Sequence, residues 1–513
     1  MSREEDAALL RWWVVLPLGA PGRTLTLTRE EAGSLSTLFP TVEATFEDPI
    51  GGGSRTLEVK FDALSQFSFK GVVSRVPELG ALLAFAADLD DSSATPAVLG
   101  EKLPAGPLRD ELVALATPTG GALDGADLPT DGTKAAKAVD SFVRSMQSTS
   151  RVKRSKTTRQ IRDRIEEAVY TFARRMLDSN EVASREATWR GLDLLLARCP
   201  KKAGIVVELL DRDLDALPGL IEAIEAGESA PDAVFVPMPI GDVALLQRLA
   251  AAAELALVPV VVELDSRIFD TDAEGLPDVL SVEPGKLPRT DWLALRQEES
   301  SRWLCVTTHR VLLAYEGAGA TQRELFASSV WPVAAMLSES FRTTGGFARI
   351  LGSVGGLAVP AARVLKHGTH EGQSSPTESF YPIKTQTQLA KHGLVAVGSV
   401  RDRATVVLLT APMLRASIDA AALPAQIVTG RIVRFASWVR DQLPTDADEP
   451  TIASVFSEAG RVFLFPGLGE AASLEAKLVA DSDPKSMAVR AVVHPAIAGT
   501  LLDIEFPLAL NAG

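Results

Sequence analysis

Hydrophobic and polar positions change period several times along the chain, and each change marks an element. Residues 24–28, Thr-Leu-Thr-Leu-Thr, alternate strictly, and Leu57, Val59 and Phe61 share one face behind the glycine turn Gly51–Gly53; both stretches are predicted as half-buried strands. A third strand is predicted in the apolar run 12–18 (WWVVLPL). From Pro77 the period becomes helical, with Leu79, Leu82, Leu83 and Ala86 on one stripe. Ile161, Ile165, Ala168, Val169, Phe172 and Met176 mark a second helix, whose start is strongly basic. Residues 200–265 then alternate strand and helix, and the uninterrupted runs GIVVELL, AVFVPMP and VPVVVEL predict parallel strands covered on both faces. The chain closes on two strand-like pieces at about 487–508, which need a sheet to join.

Between about 95 and 135 Pro, Gly, Ser, Thr and Asp dominate, the composition of an exposed connection and the clearest domain boundary. A length of 513 residues calls for two or three domains. The net charge of −14, with a pI near 5.1, argues against nucleic acid or an anionic membrane as partner. Glu4, Glu5 and Asp6 stand where a secretory signal carries positive charge, and the most apolar run, from Leu249, is interrupted by Glu254 and Pro259. No membrane insertion and a cytoplasmic location are expected. Cys199 and Cys305 provide neither a disulfide framework nor a zinc quartet, and are expected to be core thiols.

Candidate chemistry is thin. Leu351-Gly352-Ser353-Val354-Gly355 has leucine where a nucleophile elbow needs glycine, so Ser353 reads as part of a packing turn. Neither Gly51–Gly53 nor Gly352–Gly356 is followed by the Lys-Ser/Thr of a phosphate loop. His367 and His370, with Glu371 adjacent, lack a visible third metal ligand, and His309, His392 and His494 are isolated. No metal, cofactor or catalytic residue is expected. The cluster Arg151, Lys153, Arg154, Lys156, Arg159, Arg162 and Arg164 is either a solvated helix face or an electrostatic docking surface.

Several blocks after residue 155 resemble, in order, the large contractile-sheath subunit of type VI secretion systems, the TssC (VipB) family. EATWRGLDLLL carries Trp189, Arg190 and Gly191 of an E-x-x-W-R-G-L helix, and the stretch from Trp292 through Arg296 and Arg302 resembles the family's W-x-x-x-R segment leading into a strand. Trp331 lies in SVWPVAAML, Pro376-Thr377-Glu378 supply a P-T-E motif, and His494 belongs to a closing R-P-H-type strand pair. The first hundred residues resemble the small subunit, TssB (VipA), through LEVKFDALSQFSFKGVVSRVPELGALL. His309 stands where the family usually has proline, and SVWPVAAML lacks the usual Asn-Ala-Ala-Tyr.

The resemblance implies an α/β (α+β) sheath-protomer fold, with a small-subunit-like domain at 1–95, a linker and basic helix start at 96–155, and a two-lobed large-subunit-like domain at 156–513. N-terminal and C-terminal strands are expected to augment sheets of neighbouring protomers. The implied function is structural: a fused subunit that polymerises helically with itself around an Hcp-like inner tail tube, docks on a baseplate and contracts. A non-contractile scaffold (ring, filament or cap) is the alternative, and an α/β enzyme the second. A recycling AAA+ unfoldase recognises the family's N-terminal helix of the large subunit, a segment that here follows a fused domain.

Overall fold

The computed structural model describes residues 9–19, 21–27, 41–117, 156–224, 230–317, 319, 322–366, 370–417, 421–444, 447–479 and 485–510. Arg151, Lys153, Arg154 and His367 lie outside the described residues. In chain order the strands are β1 (Leu10–Leu16), β2 (Thr24–Leu27), β3 (Val42–Glu47), β4 (Ser54–Val59), β5 (Ile205–Asp211), β6 (Ala233–Ile240), β7 (Val260–Leu264), β8 (Leu304–Thr308) and β9 (Val311–Glu316). They continue with β10 (Arg323–Ala327), β11 (Leu357–Ala358), β12 (Arg363–Val364), β13 (Ser374–Ser375), β14 (Leu394–Ser399), β15 (Thr405–Leu408), β16 (Ala472–Leu478), β17 (Ser486–Val493) and β18 (Leu502–Ala509).

Two compact units form, one from Met1–Ala32, Gly191–Leu313 and Phe326–Gly513, the other from Gly33–Arg190 and Ala314–Leu325. These units cut across the boundaries expected at 95 and 155.

The first unit is built on a nine-stranded sheet of order β11-β15-β14-β8-β7-β6-β1-β5-β2. The six strands from β14 to β5 run parallel; β2 and β15 run antiparallel to them at the margins, and β11 pairs antiparallel with β15. All five residues of β7 are buried, as predicted for a strand covered on both faces. Helix Val243–Ala256 covers one face with Leu245, Leu246 and Leu249 against Val234, Val260 and Val262. Its start is fixed by Asp242, which accepts the Ala244 N–H at 2.9 Å. On the other face, Trp12 donates from Nε1 to Ser338 Oγ at 3.0 Å and meets Phe235 edge-to-face at 5.3 Å.

β1 corrects an expectation. It lies between β5 and β6, with Trp12 in register with both Val207 and Ala233, so the N-terminal strand expected to augment a neighbouring protomer is used inside its own sheet. The physical reason is burial: Leu10, Trp12, Val14 and Val15 are fully enclosed, and a strand this apolar finds its lowest free energy in the middle of a sheet. The terminal strands β17 and β18 pair antiparallel with each other and with β16, a partner whose Ala-Ser-Leu-Glu-Ala-Lys-Leu alternation had not been singled out.

In the second unit the hairpin β3–β4 packs on helix Lys156–Leu177, where Phe46 meets Phe172 edge-to-face at 4.8 Å and Arg55 covers the same ring. The predicted stripe from Ile161 to Met176 is buried throughout. The expected linker at 96–155 is corrected over its described part: Pro96–Lys102 and Pro107–Ala116 are helices, burying Leu99, Leu108 and Leu112. Their prolines, which suggested a connection, occupy the first helical turn, where the missing N–H costs nothing. Gly106, at φ 153°, lets the chain enter the second of these helices, because a Cβ there would meet the Ile50 carbonyl oxygen at 2.5 Å.

Candidate assembly surfaces and signature residues

The Trp-Arg-Gly triplet lies inside helix Asn180–Leu196. Trp189 is buried and meets Phe67 edge-to-face at 5.7 Å. Arg190 donates from Nε to Glu186 Oε1 at 2.7 Å, and Gly191 faces the Trp331 indole so closely that a Cβ would lie 2.4 Å from the ring. Two members of the signature, Gly191 and Trp331, are thus one contact. Glu186, fully buried, also receives Arg323 Nη2 at 2.5 Å, and Arg323 Nε reaches Asp178 at 2.9 Å. Sequence reasoning missed Glu186 and Arg323. The available signal was a glutamate four residues after Val182 and three before Trp189, on the apolar side of the helix.

Trp292 is fully buried against Phe269, ring centroids 5.2 Å apart. Arg296, one turn on, donates to the carbonyls of Leu414 at 3.1 Å and Lys391 at 2.8 Å, the latter at the end of helix Ile383–Lys391. Burial pushes its guanidinium down to about 10. Arg302 is a surface residue paired with Glu299 at 3.0 Å, and Arg415 shares that carboxylate. Such exposed pairs contribute ~0–1 kcal/mol each.

Pro376 accepts the Leu312 N–H at 2.8 Å, Thr377 forms an antiparallel bridge with Val311, and Glu378 accepts Arg310 Nε and N, both at 2.9 Å. The P-T-E motif therefore fastens a loop to the start of β9. Next to it, His309 stacks on Tyr381 with centroids 3.9 Å apart. Its Nε2 accepts the Ser379 N–H at 2.8 Å, so Nδ1 carries the proton and donates to the Val397 carbonyl at 2.9 Å. Burial lowers its pKa and keeps the ring neutral. The backbone there has φ 83°, which excludes the proline usual in the resembled family, since a proline ring holds φ near about −65°.

Glu263, the penultimate residue of β7, is 5% exposed, and burial pushes its carboxyl up to about 7, with Ser328 and Arg310 opposing the shift and Glu378 and Asp265 adding to it. The unfolded chain ionises first, near about 4.5, so this group's penalty sets in as pH rises from about 4.5 to 7 and is complete above that window, at about 3 kcal/mol. Glu263→Gln is expected to raise the melting temperature at about pH 8 and leave it close to wild type at about pH 5. Equal shifts at both pH values would refute the assignment.

His494 is exposed and caps helix Pro495–Ala498, its Nδ1 accepting the Ala496 N–H at 3.1 Å. The strands on either side form the β16-β17-β18 sheet, which buries Leu474, Met487, Val489 and Ala491 on one face. Leu510 N donates to Lys485 O at 2.8 Å, which sets the phase of the ladder. Alternation then turns the backbone groups of Asp503, Glu505, Pro507 and Ala509 away from β17. No described strand pairs with that outer edge. It offers three donors, and Pro507 removes a fourth.

The other candidates resolve into packing and pairing. Arg162 pairs with Glu166 at 2.8 Å, and Arg164 with Glu111 and Glu167 at 2.7 and 2.6 Å, while Lys156 and Arg159 are exposed. At the Ser353 turn, a Cβ on Gly355 would meet the Ile350 carbonyl at 2.1 Å, so close backbone approach accounts for that glycine. His370 lies against Phe380. Among the described residues no group of three or more His, Cys, Asp and Glu could hold a metal ion, and no helix is long and apolar enough to cross a membrane.

In the first unit, a parallel sheet covered on both faces is accompanied by a small antiparallel sheet whose outer edge no described strand pairs. Residues 232–415 match the VipB model, the EvpB/VC_A0108 tail sheath N-terminal domain, so this segment is similar to tail-sheath proteins. No curated protein matches the chain significantly. Among solved structures, the cryo-EM baseplate of the anti-feeding prophage is 12% identical, covering 63% of this chain and 77% of that one, with a TM-score of 0.33. The sheath complex of the extracellular contractile injection system PVC, in its contracted state, is 10% identical over 64% and 77%, with a TM-score of 0.35.

Proposed function

We propose that this chain is a fused sheath protomer, a small-subunit-like segment joined to a large-subunit-like one, that polymerises helically around an inner tail tube and contracts. The tail-sheath match at 232–415 carries this reading. The outer edge of β18 supports it physically, because unpaired backbone groups on one subunit are a docking site for a strand of the next. Electron microscopy of the protein alone and with a hexameric tube protein tests it. Tubes are expected, in two lattices of different pitch; a strictly monomeric protein at every salt concentration refutes assembly.

The edge has its own test. Glu505→Pro removes an N–H that the chain's own sheet does not use, so it is expected to leave the melting temperature within about 2 °C of wild type. Assembly is expected to fall sharply, and unchanged assembly would show that β18 is not the docking strand.

A second reading, a non-contractile scaffold, is favoured by β1, which is held between β5 and β6 and so is not offered to a neighbour. A single lattice under all conditions would select it.

A further inference from the structure

Among the described residues, the second unit carries charges that its own ion pairs leave unmatched. The β3–β4 hairpin turns Val42, Ala44 and Phe46 inward and Glu43, Thr45, Glu47, Ser54, Thr56 and Glu58 to solvent. Asp48 N donates to Gly53 O at 2.8 Å, which makes Glu43 and Glu58 a directly opposed, non-hydrogen-bonded pair, the type with the closer side chains. Like charges so placed repel. The nearby arginines pair with other carboxylates: Arg55 with Asp48 and Glu78, and Arg175 with Glu47 on the same outer face. Among the described residues, no cation pairs with Glu43 or Glu58.

The opposite charge sits at the far end of the helix that supports the hairpin. Lys156 and Arg159 are exposed in its first turn and have no carboxylate partner among the described residues. Phe172, on which the hairpin rests, is thirteen residues beyond Arg159, or about 20 Å along the axis at 1.5 Å per residue. Among the described residues, the pair Lys156 and Arg159 therefore lies too far along the helix to neutralise Glu43 and Glu58 of the same copy. A unit with complementary poles at opposite ends makes head-to-tail contacts, which propagate into a filament wherever the rotation between copies does not close a ring.

We propose that the outer face of the β3–β4 hairpin receives the Lys156/Arg159 helix start of a second copy of this chain. This rests on the assembly reading above and adds to it a contact separate from the β18 edge.

The test measures the critical concentration for assembly of the full chain. Glu43→Lys/Glu58→Lys and Lys156→Glu/Arg159→Glu are each expected to raise it at least about tenfold, and the wild type to show the same loss at high salt. An equimolar mixture of the two variants is expected to assemble where neither does alone, since each reversed face then meets a reversed partner. Glu43→Gln/Glu58→Gln, which removes charge without creating new repulsion, is expected to give an intermediate rise. Unchanged critical concentrations for all three variants, or a mixture no better than its components, overturn the proposal. A wild type that assembles, loses assembly on Glu505→Pro and ignores these reversals overturns this contact alone; a wild type that never assembles overturns both readings.

Discussion

Gly191→Ala is expected to destabilise the chain by about 2 kcal/mol or more, although alanine is the better helix former by about 1 kcal/mol. The new Cβ would sit 2.4 Å from the Trp331 ring, a rigid group held in its own helix, so relief requires one of two packed helices to shift. Overpacking of this kind outweighs the propensity gain. Thermal or denaturant unfolding checks it, and the double variant Gly191→Ala/Trp331→Leu separates the causes: if the ring is the obstacle, the pair costs less than the sum of the single changes. Additive effects would show that the glycine is needed for another reason.

A larger loss, about 3–5 kcal/mol, is expected from Arg323→Met. The change leaves the Glu186 carboxylate, fully buried, with Arg190 as its remaining cation among the described residues, and it removes the Arg323 hydrogen bond to Asp178. The penalty comes chiefly from the stranded charge, and not from the worth of the pair. Glu186→Leu/Arg323→Met removes both charges, and is therefore expected to be more stable than Arg323→Met alone. A double variant at least as unstable as the single one would locate the loss in packing.

Most of the first unit's central sheet was legible because its signal is local. Runs such as Val260–Leu264 and the capped helix after Asp242 declare themselves by period and by turn chemistry. What stayed hidden depends on distance in sequence. Nothing in Trp12 to Leu16 says that the strand pairs with residues nearly two hundred positions later, and an apolar strand reads the same whether it lies centrally or at an interface. The helices at Pro96 and Pro107 were hidden differently, because proline and glycine mark both loops and helix starts. At the signature residues, the motif positions could be read but their partners could not: Trp331 against Gly191, and Arg323 against Glu186, are decided by the fold.

The place of β1 also sets an order of events during synthesis. β1 is made well before its neighbours β5 and β6, so its slot does not exist until about 230 further residues have been made, a wait of about 10 to 50 s at ordinary elongation rates. Throughout that interval Leu10, Trp12, Val14 and Val15 form an exposed hydrophobic segment with strong tendency to pair with a strand from another nascent chain.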